Sequence, residues 1–413
     1  MKLYSAPKTL TLNDMVILWF ATLFCLSSNT FKVDLGMISV SPAVLIPVLC
    51  ILIFSKPRKR FLNEYRNDIN FAYTAISVAL FSMLMVLQTI FSDWPDRAPS
   101  ALAKTLLFFL TTHAFFSILS SSKISLSTYR ILIWSSLTFV LYIAYVYLVQ
   151  FGMFYIGNDL TIPTKAGRNT LSLYLFLMVV VSLALVSFDQ NSRSKYLDYS
   201  YVCLFLVLGA MTGSRFAVIF PLLFIFLLTF KKIFKNQSTV ELVTTLLLIG
   251  LLTFTIVWGM SESAMGFFGD YFEIFDRLSK LGETGGDNER LVLLDVGFGC
   301  FIDQNILFGN GVKNYLTCVM NSPLKTDYIL HNDHLSILNN VGIIGYSLWL
   351  FIIINYAKIF SFYRGQYFFR LAVVVYLASL LVIDGYNSPI FAVLIGLARL
   401  EWSIGDQPLL EGS

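Results

Sequence analysis

The chain has 413 residues, of which 57% are hydrophobic and only 13% charged, with a mean hydropathy of +0.73. Soluble domains carry about 25% charged residues, so this composition excludes a soluble globular protein. The net charge of +4 is small and gives no reason to expect nucleic-acid binding. Apolar runs of about 18 residues or more recur along the whole length, which points to an all-α, polytopic membrane protein. A β-barrel would show short alternating segments instead.

The N-terminal stretch MKLYSAPKTLTLND leads into an apolar run without a small-residue cleavage site, so the first helix is expected to stay uncleaved. At about 20 residues per crossing, some twelve spans are expected. They fall near 13–31, 37–55, 71–91, 101–120, 131–152, 170–188, 199–213, 216–230, 241–260, 341–359, 371–384 and 389–401. Lysine and arginine set the orientation. One set of loops carries Lys2 and Lys8, then Lys56, Arg58, Lys59, Arg60 and Arg66, then Lys123 and Arg130, Arg193 and Lys195, Lys231, Lys232 and Lys235, and finally Lys358, Arg364 and Arg370. The short loops of the other set carry only Lys32, Arg97, Lys104, Lys165, Arg168 and Arg215. The first set, with both termini, is expected on the cytoplasmic side.

This orientation puts one long segment outside and divides the chain in three. Residues 1–260 hold nine transmembrane helices with short loops, 261–340 form a large extracytoplasmic loop, and 341–413 hold the last three helices and a cytoplasmic C-terminus. Unpatterned loops of that length are uncommon unless they are functional. FFGDYFEIFDRLSKL, at 267–281, places Phe268, Tyr271, Phe272, Phe275 and Leu278 at helical spacing, and RLVLLDVGFGCFIDQ, at 290–304, does so less regularly. Both read as amphipathic helices on the outer membrane interface. Of five cysteines, Cys25, Cys50 and Cys203 lie in apolar spans as inert core residues. Cys300 and Cys318 share the long loop, where a disulfide or two free thiols are both open.

The chemistry-bearing residues gather on the outer side. In YILHNDHLSILNNVGIIG, His331 and His334 share a helical face, and Asn332 or Asp333 is a candidate N-cap for a helix running into the tenth span. Three readings stand for the histidines. These are interfacial capping and hydrogen-bonding groups, a partial metal site, or general acid/base catalysts. Asp333 faces away and no HExxH or cysteine pair stands nearby, so no metal is expected. Arg215, in AMTGSRFAVIFP, sits between two apolar runs, where arginine either snorkels at a turn or marks a bound anion. Its guanidinium fork suits phosphate. Arg290 opens the second loop helix, Arg277 and Lys280 lie in the first, and Lys165 and Arg168 precede the sixth span. Singly these are solvated charges. As a group they call for an anionic ligand on the outer face. There is no P-loop, so nucleotide is not the energy source, and no cofactor is expected.

Three stretches, in order, resemble the bacterial O-antigen polymerase and O-antigen ligase family. TGSRFA at 212–217 resembles its small-Ser/Thr-Arg motif between two spans. ERLVLLDVGFGCFIDQNILFGNGVKNY at 289–315 resembles its Arg-led helix followed by a Gly-x-Gly turn. HNDHLSILNNVGIIG at 331–345 resembles its His-Asn stretch ending in Gly-x-x-Gly. The resemblance covers roughly the second half of the chain and extends to the twelve-span layout with one large late loop. The chain departs at Ile306, where the family often has Pro, and at Asn340, where it often has Glu.

The resemblance implies a multi-pass enzyme of the bacterial inner membrane with its active face in the periplasm. It implies transfer of a saccharide chain from undecaprenyl pyrophosphate without metal or nucleotide. By position, His331 would be the general base, and Arg215 and Arg290 would hold the pyrophosphate. His334, Arg168, Lys165, Arg277 and Asn332 are further candidates for substrate contact. Partners implied are the lipid-linked oligosaccharide, membrane lipid, and chain-length regulator and flippase proteins. A polymerase, with a second lipid-linked repeat unit as acceptor, is favoured over a ligase acting on lipid A–core. A flippase of the same lipid-linked sugars is a second alternative, but its charges would be expected at the bilayer midplane rather than at one edge.

Overall fold

The computed structural model describes residues 11–26, 33–34, 36, 39–59, 69–121, 126–151, 168–188, 192–210, 212, 214, 216–233, 285–303, 305–323, 330–359, 368–381 and 386–404. In chain order these form α1 (Leu12–Thr22), the hairpin β1 (Val33–Asp34) and β2 (Ser39–Val40), α2 (Pro42–Ile53), α3 (Ile69–Ile90), α4 (Ala98–Ser121) and α5 (Leu126–Phe151). Then follow α6 (Arg168–Phe188), α7 (Ser192–Ala210), α8 (Phe216–Ile233), α9 (Gly285–Ile302), α10 (Tyr315–Met320), α11 (Asp333–Ala357), α12 (Phe368–Ser379) and α13 (Pro389–Ile404). Among the described residues the chain is mostly helical, and five helices are long and apolar enough to cross a membrane. These lie in α3, α4, α5, α6 and α11.

Every expected span except 241–260 overlaps one of these helices. That span and the loop helix at 267–281 lie outside the described residues. Several boundaries differ from expectation, and the start of α2 does so for a clear local reason. The second span was expected from residue 37, but α2 starts at Pro42. Ser41 caps it by accepting the Ala43 N–H at 3.2 Å, and Pro42 suits the first helical position. The preceding residues instead pair as β1–β2. The helix expected to be capped at Asn332 or Asp333 and to run into the tenth span is α11, which starts at Asp333, so the His-Asn stretch and that apolar run are one element. Asn332 is its N-cap, with Oδ1 accepting the Leu335 N–H at 2.9 Å.

The helices bury broad aliphatic and aromatic faces. α3 packs on α11, α4 on α13 and α2, α6 on α7 and α8, and α12 on α13 and α8. Trp19 of α1 donates its indole N–H to the Ala43 carbonyl of α2 at 2.9 Å and stacks on Phe115 of α4. Arg130 of α5 is paired with the buried Asp198 of α7 at 3.1 Å. The opposite face of α3 leaves Ile76, Leu80, Met83 and Leu87 exposed, a continuous apolar stripe suited to lipid.

α11 is broken at Gly342, whose backbone (φ 67°, ψ −173°) is not helical. The turn 305–311 fills the break. The N–H groups of Ile343 and Ile344, which lose their partners in the preceding turn, donate to the carbonyls of Ile306 and Leu307 at 2.9 and 3.2 Å. The carbonyl of Asn339, freed on the other side, accepts the Asn310 N–H at 2.8 Å. Two glycines permit this approach. A Cβ on Gly309 (φ 80°) would stand 2.5 Å from the Val341 nitrogen, and one on Gly342 would collide with the Leu307 carbonyl. Both also need a left-handed backbone, which costs an L-residue about 1–2 kcal/mol before any clash.

Gly342→Ala and Gly309→Ala should each lower the thermal midpoint of the detergent-purified protein by several degrees. Gly299→Ala, which faces open space on α9, should not. An unchanged midpoint for Gly342→Ala would show that the inserted turn does not hold α11.

Candidate functional site

The inserted turn is tied on its other side to α3. Gln88 donates its side-chain amide to the Phe308 carbonyl at 2.8 Å, and its own carbonyl accepts the Val312 N–H at 3.0 Å. Asn314 accepts the Asp93 N–H at 2.7 Å and donates to the Asn310 carbonyl at 2.6 Å. Asn339 donates to the Gly297 carbonyl of α9 at 3.0 Å. A disulfide joins Cys300 of α9 to Cys318 of α10 (Cα–Cα 6.1 Å), closing the segment that contains the turn. The two cysteines of the long loop are therefore bonded to each other.

Beside this joint lies a cavity of about 640 Å³. Its wall combines the hairpin end (Ser39, Val40, Ser41), the start of α4 (Asp96, Arg97, Ser100, Lys104), Thr170 of α6, Lys313, α11 (Asp333, Ser336, Asn340) and the turn before α13 (Tyr386, Asn387, Ser388). Each of these belongs to a loop, or to the helix end next to a loop, of the lysine- and arginine-poor set. Three cations line it, Arg97, Lys104 and Lys313, with two carboxylates, Asp96 and Asp333. Asp333 is buried and accepts the Tyr386 N–H at 2.6 Å. Burial in the wall pushes the Tyr386 phenol above its ordinary value, so it remains a hydroxyl donor at neutral pH. Asn340 accepts the Lys313 N–H at 2.8 Å.

The structure separates the two histidines. His334 is half-buried, with Nε2 2.9 Å from the Leu377 carbonyl and Nδ1 2.9 Å from the Tyr346 hydroxyl. A carbonyl only accepts, so Nε2 carries a proton, and in the neutral ring Nδ1 accepts from the tyrosine. His334 also meets Tyr346 and Trp349 edge to face. Its ring thus links α11 to α12 and does not line the cavity. His331 precedes the cap with a left-handed backbone (φ 50°) and is half-exposed, two residues from Asp333 in the cavity wall. Asn332, a candidate for substrate contact, spends its side-chain oxygen on the helix cap.

Arg168 is the first residue of α6 and Arg290 lies near the start of α9. Arg215, Lys165 and Arg277 lie outside the described residues. Thr212 and Ser214, just before Arg215, are buried. The Thr212 hydroxyl donates to the Gly209 carbonyl at 2.7 Å and lies 3.2 Å from the Ser172 hydroxyl on α6. Thr212 thus meets α6 near the end that supplies Thr170 to the cavity.

In the sequence Lys104 and Arg97 read only as loop charges, and Lys313 belongs to no motif of its own within GNGVKNY. The available signal was a lysine two residues beyond a Gly-x-Gly turn. No group of three or more His, Cys, Asp or Glu side chains suited to a metal ion occurs among the described residues. No family model and no curated protein matches the chain.

His334→Ala should lower stability by about 2 kcal/mol through its two lost hydrogen bonds, read as a drop in the thermal midpoint. Denatured, unreduced protein should bind maleimide at three thiols (Cys25, Cys50 and Cys203) and at five after reduction. Reduction should destabilise the native protein by about 3 kcal/mol, the usual effect of opening a loop of this length.

Proposed function

We propose that the chain is an inner-membrane glycosyltransferase of the O-antigen polymerase kind. It moves a saccharide chain from undecaprenyl pyrophosphate to a lipid-linked repeat unit at the periplasmic face. The observation that carries this reading is the polar cavity with three cations at one end of an apolar bundle. Two of the three resembling stretches meet at its wall through the insertion of FGNG into α11. A cation-lined hollow at the edge of the hydrocarbon suits a substrate whose pyrophosphate sits at the headgroup level, with an apolar tail in lipid and sugars in water.

Two further features support the outward orientation. The cavity is built from the loops with few lysines and arginines, as the positive-inside rule requires of an extracytoplasmic face. The Cys300–Cys318 bond lies on the same side, and disulfides persist in oxidising compartments such as the periplasm.

In the proposed step the acceptor hydroxyl oxygen bonds to the anomeric carbon of the donor sugar as the bond from that carbon to the pyrophosphate oxygen breaks. The hydroxyl proton passes to His331, and undecaprenyl pyrophosphate leaves with the electron pair. The leaving group needs charge stabilisation rather than protonation, which cations supply without metal. Arg215 and Arg290 are assigned to that task by resemblance, and Tyr386 and Ser336 offer hydroxyls to the sugar.

A strain lacking the protein should show a lipopolysaccharide core band carrying one repeat unit and no ladder above it. Bare core, with polymer left on the carrier, would mean a ligase. An unchanged ladder would overturn the reading for this polysaccharide. His331→Ala should reproduce the deletion at normal protein level. Transfer by purified protein in detergent, where nothing can be transported, would exclude a flippase.

A further inference from the structure

We propose that Lys104 and Lys313, rather than arginines alone, form the cavity's anion clamp, one that takes a phosphate or pyrophosphate group. The proposal rests on the reading above for its substrate, but not for its geometry. The two lysines arise far apart in sequence, one on α4 and one just after FGNG, and both line the same hollow. Two ammonium groups bordering one hollow raise its positive potential and favour a bound anion.

Each lysine is also placed against a local preference. Lys104 lies six residues beyond Ala98 on α4, roughly 9 Å along a helix long and apolar enough to span a membrane. A charge at such a place is disfavoured and usually marks a binding site or pathway. Lys313 has a left-handed backbone (φ 70°), uncommon for a residue with a side chain. That conformation is held by Asn340, which accepts the Lys313 N–H at 2.8 Å from within α11. The ammonium is oriented by Tyr315, with Nζ 3.1 Å from the phenol oxygen and 5.4 Å from the ring centroid. Strained backbones kept by specific contacts cluster at ligand clamps.

The remaining wall fits an anion bound by more than two charges. Arg97, stacked on Trp94 at 4.9 Å, adds a third cation. Of the two carboxylates that line the hollow, Asp333 directs one oxygen to the Tyr386 amide, and Asp96 is solvent-exposed. The glycine joint therefore does more than hold α11. It sets Lys313 and its Asn340 support in register, so that a motif that reads as a turn becomes the device that delivers a cation to the cavity.

The test is a titration of full-length protein in neutral detergent with inorganic pyrophosphate, read by calorimetry. Wild type should bind, and Lys313→Gln and Lys104→Gln should each weaken binding roughly tenfold or more, as expected for loss of one charge-assisted contact. Lys313→Arg and Lys104→Arg should retain most of the affinity and show that the fold survives. Lys358→Gln, on the other end of α11, should match wild type. A second arm replaces pyrophosphate by phosphatidylglycerol nanodiscs and reads the thermal midpoint. Lysine-dependent stabilisation in this arm alone would still support the clamp and assign it to a lipid phosphate. No binding by wild type in either arm, or equal binding by both glutamine variants, would overturn the clamp. An unchanged polysaccharide ladder in the deletion strain would remove the polymerase reading and leave the clamp standing.

Discussion

The joint between the turn 305–311 and the break in α11 is the contact on which the rest of this end of the molecule depends. A helix broken inside a bundle leaves backbone donors and acceptors that apolar surroundings cannot satisfy. Here the two donors beyond the break and one acceptor before it are met by the backbone of a single inserted turn. No side chain could enter so closely, since even a methyl group at Gly309 or Gly342 would overlap the opposing main chain. Removing the turn would leave α11 with unpaired polar groups in its middle, and removing the break would leave the turn with nowhere to bind.

Asparagine extends that joint outward. Asn310 and Asn314 tie the turn to itself and to the end of α3, Asn339 reaches α9, and Asn340 fixes Lys313. Asparagine suits this work because one side chain both donates and accepts and carries no charge to desolvate. A glutamate at 340 could also accept the Lys313 N–H, but it would place another carboxylate in a cavity that already has two. The observed asparagine leaves the cation excess of the wall intact.

The cavity owes its character to which helix ends come together. α11 and the turn before α13 supply hydrogen-bonding groups, whereas α4 and the inserted turn supply cations. The third histidine, His113, is buried at a distance from this wall and lies 2.8 Å from the Tyr356 hydroxyl, which links α4 to α11. Thus His113 and His334 both act as cross-helix hydrogen-bonding groups, and none of the three histidines lines the polar cavity.

Sequence by itself determined the helical, membrane-embedded character and the places of most helices, because partitioning into lipid is a local property summed over each apolar run. It also narrowed the cap to Asn332 or Asp333 and marked the two glycine motifs, since capping and left-handed turns are short-range. It did not reveal that FGNG enters α11, that His334 is held by Leu377 and Tyr346, that Cys300 bonds Cys318, or that Lys104 and Lys313 share one hollow. Those outcomes depend on how helices rotate and which ends meet. Spacing along the chain does not encode that; packing and non-local hydrogen bonds decide it.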